Sequence, residues 1–141
     1  MRRILIAVAI GIVSCYVALG FPPQIPDSKA TEAYQLLVLR KIAVAADLVD
    51  LTKRYSTDSQ LVQSKRFELE LISREIDRLL NVDSVIAAKL SANYGKLIIK
   101  KVDQEVELYI LERVFTAQHP RVTRTRVTIA LLEREIQGML R

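Results

Sequence analysis

Laid over itself with a shift of 60 and no gaps, this chain matches residues 28–80 to residues 88–140 at thirteen of fifty-three positions. Chance at ordinary residue frequencies gives about three. The identities include Tyr34/Tyr94, Lys41/Lys101, Leu48/Leu108, Val62/Val122, Leu71/Leu131, Glu75/Glu135 and Ile76/Ile136. Conservative pairs such as Tyr55/Phe115 and Leu69/Ile129 extend the match. A repeat of this period means one supersecondary unit used twice, each copy burying a face that it cannot bury alone.

The matched positions carry a helical period. Tyr34, Lys41, Leu48, Tyr55, Val62, Leu69 and Ile76 recur every seventh residue, with Leu37, Val44, Leu51, Ile72 and Leu79 three residues after members of that series. The second copy runs the same way from Tyr94 to Ile136, with Leu97, Leu111, Leu132 and Met139. A sustained apolar seam of this kind marks a coiled coil or helical bundle.

Each copy reads as a hairpin. The seam fails at Asp58 and Lys65 and again at Gln118 and Thr125, and Pro120 inside a helix costs about 3 kcal/mol. Turns at residues 56–59 and 116–119 remove these conflicts, leaving Ser59 or Asp58 to cap the next helix and Pro120 in a first turn. Asn81, Val82, Asp83 and Ser84 give a stop and a new cap between copies. The expected fold is all-α: two tandem helical hairpins over residues 29–80 and 84–140. Four coiled-coil-like helices, near 29–56, 60–80, 84–116 and 121–140, run up-down-up-down. The fold-back predicts Arg40 beside Glu75, Lys100 beside Glu135, and Glu112 beside Arg126. Lys41 and Lys101 lie on the seam, where their stems pack and their ammonium groups reach water. Tyr34 and Tyr94 read as core aromatics with a wet hydroxyl, and Arg74, Glu75, Arg134 and Glu135 as surface charges.

Ahead of the repeat, Arg2 and Arg3 precede eighteen uncharged residues, 4–21, and Pro22, Pro23 and Pro26 stiffen a spacer at 22–28. Residues 1–21 fit three readings. They are a membrane anchor with its arginines on the cytoplasmic side, a signal peptide cleaved after Gly20, or a lipoprotein leader ending at Cys15. All three place the repeat outside the cytoplasm, in the periplasm or cell envelope.

The stretch Leu111-Glu112-Arg113-Val114-Phe115-Thr116-Ala117-Gln118-His119-Pro120-Arg121-Val122 is followed by Arg126 and by Leu132-Glu133-Arg134-Glu135-Ile136. It resembles a periplasmic coiled-coil segment of the bacterial polysaccharide chain-length determinant (co-polymerase) family. There an aromatic-Thr pair, a His-Pro-x-Val turn and a Leu-Glu helix mark the hairpin. The resemblance implies an extracytoplasmic helical hairpin and an accessory part in envelope polysaccharide export. The family's second membrane span, its α/β domain and its nucleotide site have no counterpart in these 141 residues.

Enzyme signatures are missing: there is no glycine-rich phosphate loop and no Gly-x-Ser-x-Gly elbow. A di-metal carboxylate bundle needs Glu-x-x-His on two helices, and His119, a turn residue, is the single histidine. No cofactor, catalytic residue or metal ligand is expected. The expected function is a non-enzymatic, membrane-associated structural or interaction protein. It would bind a protein partner, or itself, through its helical faces.

Charge suggests one further surface. The windows 52–66 and 112–126 each sum to +3, within a chain of net +5. Lys53, Arg54, Lys65 and Arg66, with Arg113, His119, Arg121, Arg124 and Arg126, would gather at one end of the bundle. Such a basic tip suits an anionic glycan, a lipid headgroup or an acidic protein face. A nucleic-acid partner is not expected.

Overall fold

The computed structural model describes residues 28–141. The expectations for the leader, the spacer and Cys15 lie outside the described residues. The described chain is all-helical. A single 3₁₀ turn, Ser28–Ala30, precedes α1 (Glu32–Arg54), and α2 (Gln60–Leu80) follows. A short α3 (Ser84–Ala87) leads into α4 (Ala92–Leu111) and α5 (Pro120–Leu140).

Each start has a local cause. Thr31, Ser59, Asp83 and Ser91 accept from the backbone N–H three residues on, at 3.3, 3.3, 2.9 and 3.4 Å, which satisfies a donor that the helix itself leaves open. His119 Nδ1 accepts from the Arg121 N–H, two residues on, at 3.3 Å, and Pro120 stands in the first turn. Caps recur at the repeat offset, Thr31 with Ser91 and Ser59 with His119.

Two boundaries depart from expectation. The helix expected over 84–116 is broken between Ala87 and Ala92 and stops at Leu111. At the break, Ala33 N–H donates to Leu90 O (3.4 Å), and Ala92 N–H donates to Glu32 Oε2 (3.0 Å). The segment is held by α1, and Ser91 starts a fresh helix beside it. The seam of the second copy, which begins at Tyr94, did not show that.

The long helices run up, down, up, down. Gly95 lies against Ala33, and Asp103 bonds Arg40, so α1 and α4 are parallel neighbours. Both hairpin turns, 55–59 and 112–119, therefore lie at one end, the tip, and Ser28 lies at the other, the base. A Cβ built on Gly95 would sit 2.9 Å from Ala33 Cα, so this close approach needs glycine.

α4 packs against both α1 and α2, seated in the groove of the first hairpin. α5 packs along α4 and makes no extended contact with α1 or α2. The architecture is thus a stack of two hairpins, with α5 on the outside. The main core joins Leu37 and Val44 of α1, Leu71, Ile72, Ile76 and Leu79 of α2, and Tyr94, Ile98 and Val102 of α4. From α5 it takes Ile136.

Candidate functional site

The most elaborate polar arrangement lies where the hairpins meet. Lys101 Nζ donates to Glu75 Oε1 at 2.7 Å, with side chains only 7% and 8% exposed. Arg78 reaches the same oxygen from the rim at 2.8 Å. Glu105 stands 3.9 Å from Lys101, and its Oε2 is buried with no hydrogen-bond partner. Burial raises the Glu105 pKa, against a smaller lowering by Lys101. Burial also raises the Tyr94 pKa, with the Glu75 charge acting in the same direction.

Several sequence expectations are corrected here. Lys101 is buried and paired, because α2 covers the seam position that a lone hairpin would leave open to water. Glu75 is its buried partner, so it is not a surface charge. Arg40 bonds Glu68 (2.6 Å) and Asp103 (2.8 Å), one heptad from the expected Glu75. The expected register treated each hairpin alone, whereas α4 supplies partners from the side. Lys100 and Glu135 are both exposed, with no ion pair between them among the described residues. Glu112 and Arg126 do pair, at 2.8 Å.

An open groove of about 340 Å³ runs past Glu75, Arg78, Tyr94, Lys101 and Glu133, between α2 and α5. It is not an enclosed, apolar-walled pocket of the kind that buries a small ligand. Among the described residues no group of three His, Cys, Asp or Glu side chains is placed to hold a metal ion.

The nine basic-tip residues do collect toward the turns, but they are not one free patch. Arg54 pairs with Asp50 (2.7 Å), and Lys65 with Glu68 (2.8 Å) and Asp47 (3.5 Å). Arg121 stands 3.8 Å from Glu107. Arg113 bonds the Tyr109 hydroxyl and lies 4.5 Å over that ring. His119 stacks on Phe115 with centroids 4.1 Å apart and serves as a cap. Lys53, Arg66 and Arg124 are exposed, and no ion pair to them is found among the described residues. Charge windows along the sequence missed the acids one turn away and across the hairpin.

The larger feature is apolar. Ile42 (61%) and Val49 (56%) are exposed on α1, and Val127 (55%) and Leu131 (61%) on α5. Leu39 extends the α1 strip. These residues fall at helical spacing, so each set forms a strip on a helix face that no other described element covers. The sequence reading named helical faces as the working surface without naming these residues. The signal was present in the repeat, because their counterparts are buried or packed in the contact between hairpins.

Among the described residues no helix is long and apolar enough to cross a membrane. The chain matches no protein-family model, no curated protein and no solved structure, and its likeness to chain-length determinants rests on the segment quoted above.

Proposed function

We propose that this protein is a non-enzymatic interaction protein of the cell envelope, held at a membrane through residues 1–21 and working through its helix faces. The observation that carries this reading is the pair of exposed apolar strips on α1 and α5. Contiguous apolar surface on a small protein favours a partner that removes it from water, at roughly 25 cal/mol per Å². The envelope assignment rests on Arg2, Arg3 and the uncharged run 4–21.

The test is a photo-cross-linking amino acid placed in the full chain, in cells, at Ile42, Leu131, Lys53 or Arg124. Cross-links from the two faces and none from the tip are the expected pattern; cross-links from the tip alone would contradict it. Fractionation with added protease tests the location. Digestion of residues 28–141 from the extracytoplasmic side is expected, and protection there would contradict the envelope assignment.

A second reading is supported by Lys53, Arg66 and Arg124, the tip cations without an ion pair among the described residues: the tip binds an anionic polymer or lipid. Replacing Arg121, Arg124 and Arg126 with Gln should then reduce retention on an anionic polymer at low salt. Unchanged, salt-insensitive retention removes the tip from consideration. Envelope polysaccharide export is the process to which the family resemblance points.

A further inference from the structure

Because the second hairpin repeats the first, each half of the contact between them exists a second time, unused among the described residues. The first half is the α1–α2 groove that receives α4. At the sixty-residue offset its Phe67, Leu71 and Glu75 become Val127, Leu131 and Glu135 on α5. The second half is the face that α4 inserts. Its Lys101, Val102 and Tyr109 become Lys41, Ile42 and Val49 on α1.

Inside the molecule these groups meet. Phe67 stacks on Tyr109 at 4.6 Å, Leu71 and Val102 join the core, and Lys101 bonds Glu75 at 2.7 Å. Their counterparts are exposed, except Lys41, which is half-buried. Val127 and Leu131 are exposed, as are Ile42 and Val49, and neither Lys41 nor Glu135 is found in an ion pair among the described residues. The chemistry of the contact is kept: aromatic pairs with aromatic inside, aliphatic with aliphatic outside, and Lys with Glu in both.

Resting on the interaction reading above, we infer that the partner is a second copy of this chain. α1 of one copy docks into the α4–α5 groove of the next, as α4 docks into the α1–α2 groove within a molecule. The contact uses two different surfaces, so it is head-to-tail and passes from copy to copy, in an open row or, where the rotation closes, a ring. α1 and α4 are parallel, so every copy in the assembly starts from the same side, as chains anchored in one membrane require. The contact is weaker than the internal one. Asn93 and Gln35 replace the close Ala33–Gly95 approach, and Lys100 and Ala43 replace the Arg40–Asp103 pair. Assembly is therefore reversible and depends on concentration.

The test uses the full-length chain in mild detergent, with mass measured by light scattering across a concentration series. All variants keep residues 1–21, so association through that segment is common to all. The native chain is expected to pass from monomer to species larger than a dimer. Ile42→Asp and Leu131→Asp each weaken this at least tenfold, with helical content unchanged because both side chains are already in water. Mixed one to one, the two variants form heterodimers and nothing larger, since each retains one intact half. Lys41→Glu loses assembly, and the double variant Lys41→Glu/Glu135→Lys regains it. A native chain that stays monomeric, or a dimer that survives in each single variant, overturns the inference. If the chain is monomeric yet a photo-cross-linker at Leu131 captures a different protein in cells, only the identity of the partner fails. If it is monomeric and no face cross-links, the interaction reading fails with it.

Discussion

Gly95 and Gly138 show how far one atom matters in this molecule. A methyl group at Gly95 meets the Ala33 backbone, whereas nothing lies within 4 Å of a Cβ at Gly138. Gly95→Ala should therefore lose about 1–3 kcal/mol to overpacking, set against about 1 kcal/mol of helix propensity. Gly138→Ala should gain up to about 1 kcal/mol, both read by chemical denaturation. The buried ion pair gives a second contrast. Lys101→Met leaves Glu75 with only Arg78 and should cost about 3 kcal/mol, the low end for breaking a buried pair. Lys101→Met/Glu75→Leu should recover most of that loss, because a packed apolar pair replaces two desolvated charges. Glu105 makes stability depend on pH. Its raised pKa means that the folded chain holds this proton more tightly than the unfolded chain does. The stabilisation is full below the ordinary carboxylate range and is lost as pH rises through the raised value. Glu105→Gln should thus melt higher than the native chain at neutral pH and lose that advantage in mild acid. None of these roles was legible along the sequence. A heptad position says that Lys101 faces a seam, but only the docking of α2 against α4 decides that the seam is closed.

Element boundaries were legible where their causes are local. The turns before Gln60 and Pro120 follow from polar residues interrupting a seam, and the caps lie where a Ser or His precedes the helix. The break before Ala92 was not legible from the seam, because its cause is non-local: Glu32 and Ala33 hold the strand of backbone at 90–92. The offset held the missing clue, since Ser91 is the counterpart of the cap Thr31. The elements also differ in support. α4 is packed by α1, α2 and α5, whereas α5 leans on α4. Amides of α5 should exchange with deuterated water faster than those of α4, through local opening that leaves the first hairpin intact. Equal protection in the two helices would mean that α5 has contacts beyond α4.

At the scale of the whole molecule, the repeat told how many hairpins there are but not how they stack. Two hairpins can close into a square bundle or lie side by side, and the heptad pattern is the same in both. The side-by-side arrangement leaves α1 and α5 as outer helices, each with the face that its counterpart buries. This is why apolar residues such as Ile42 and Leu131 remain in water, and it underlies the proposal that the protein works by binding through these faces. The most direct measurement places cysteines at Val49 and Val127, counterparts of the stacked Tyr109 and Phe67, in a Cys15→Ser chain. A short thiol cross-linker is then applied to cells that express it. A regular ladder of dimer, trimer and larger species on a denaturing gel is the predicted result, lost when Ile42→Asp is added. Monomer alone, or a ladder unchanged by Ile42→Asp, would contradict the account.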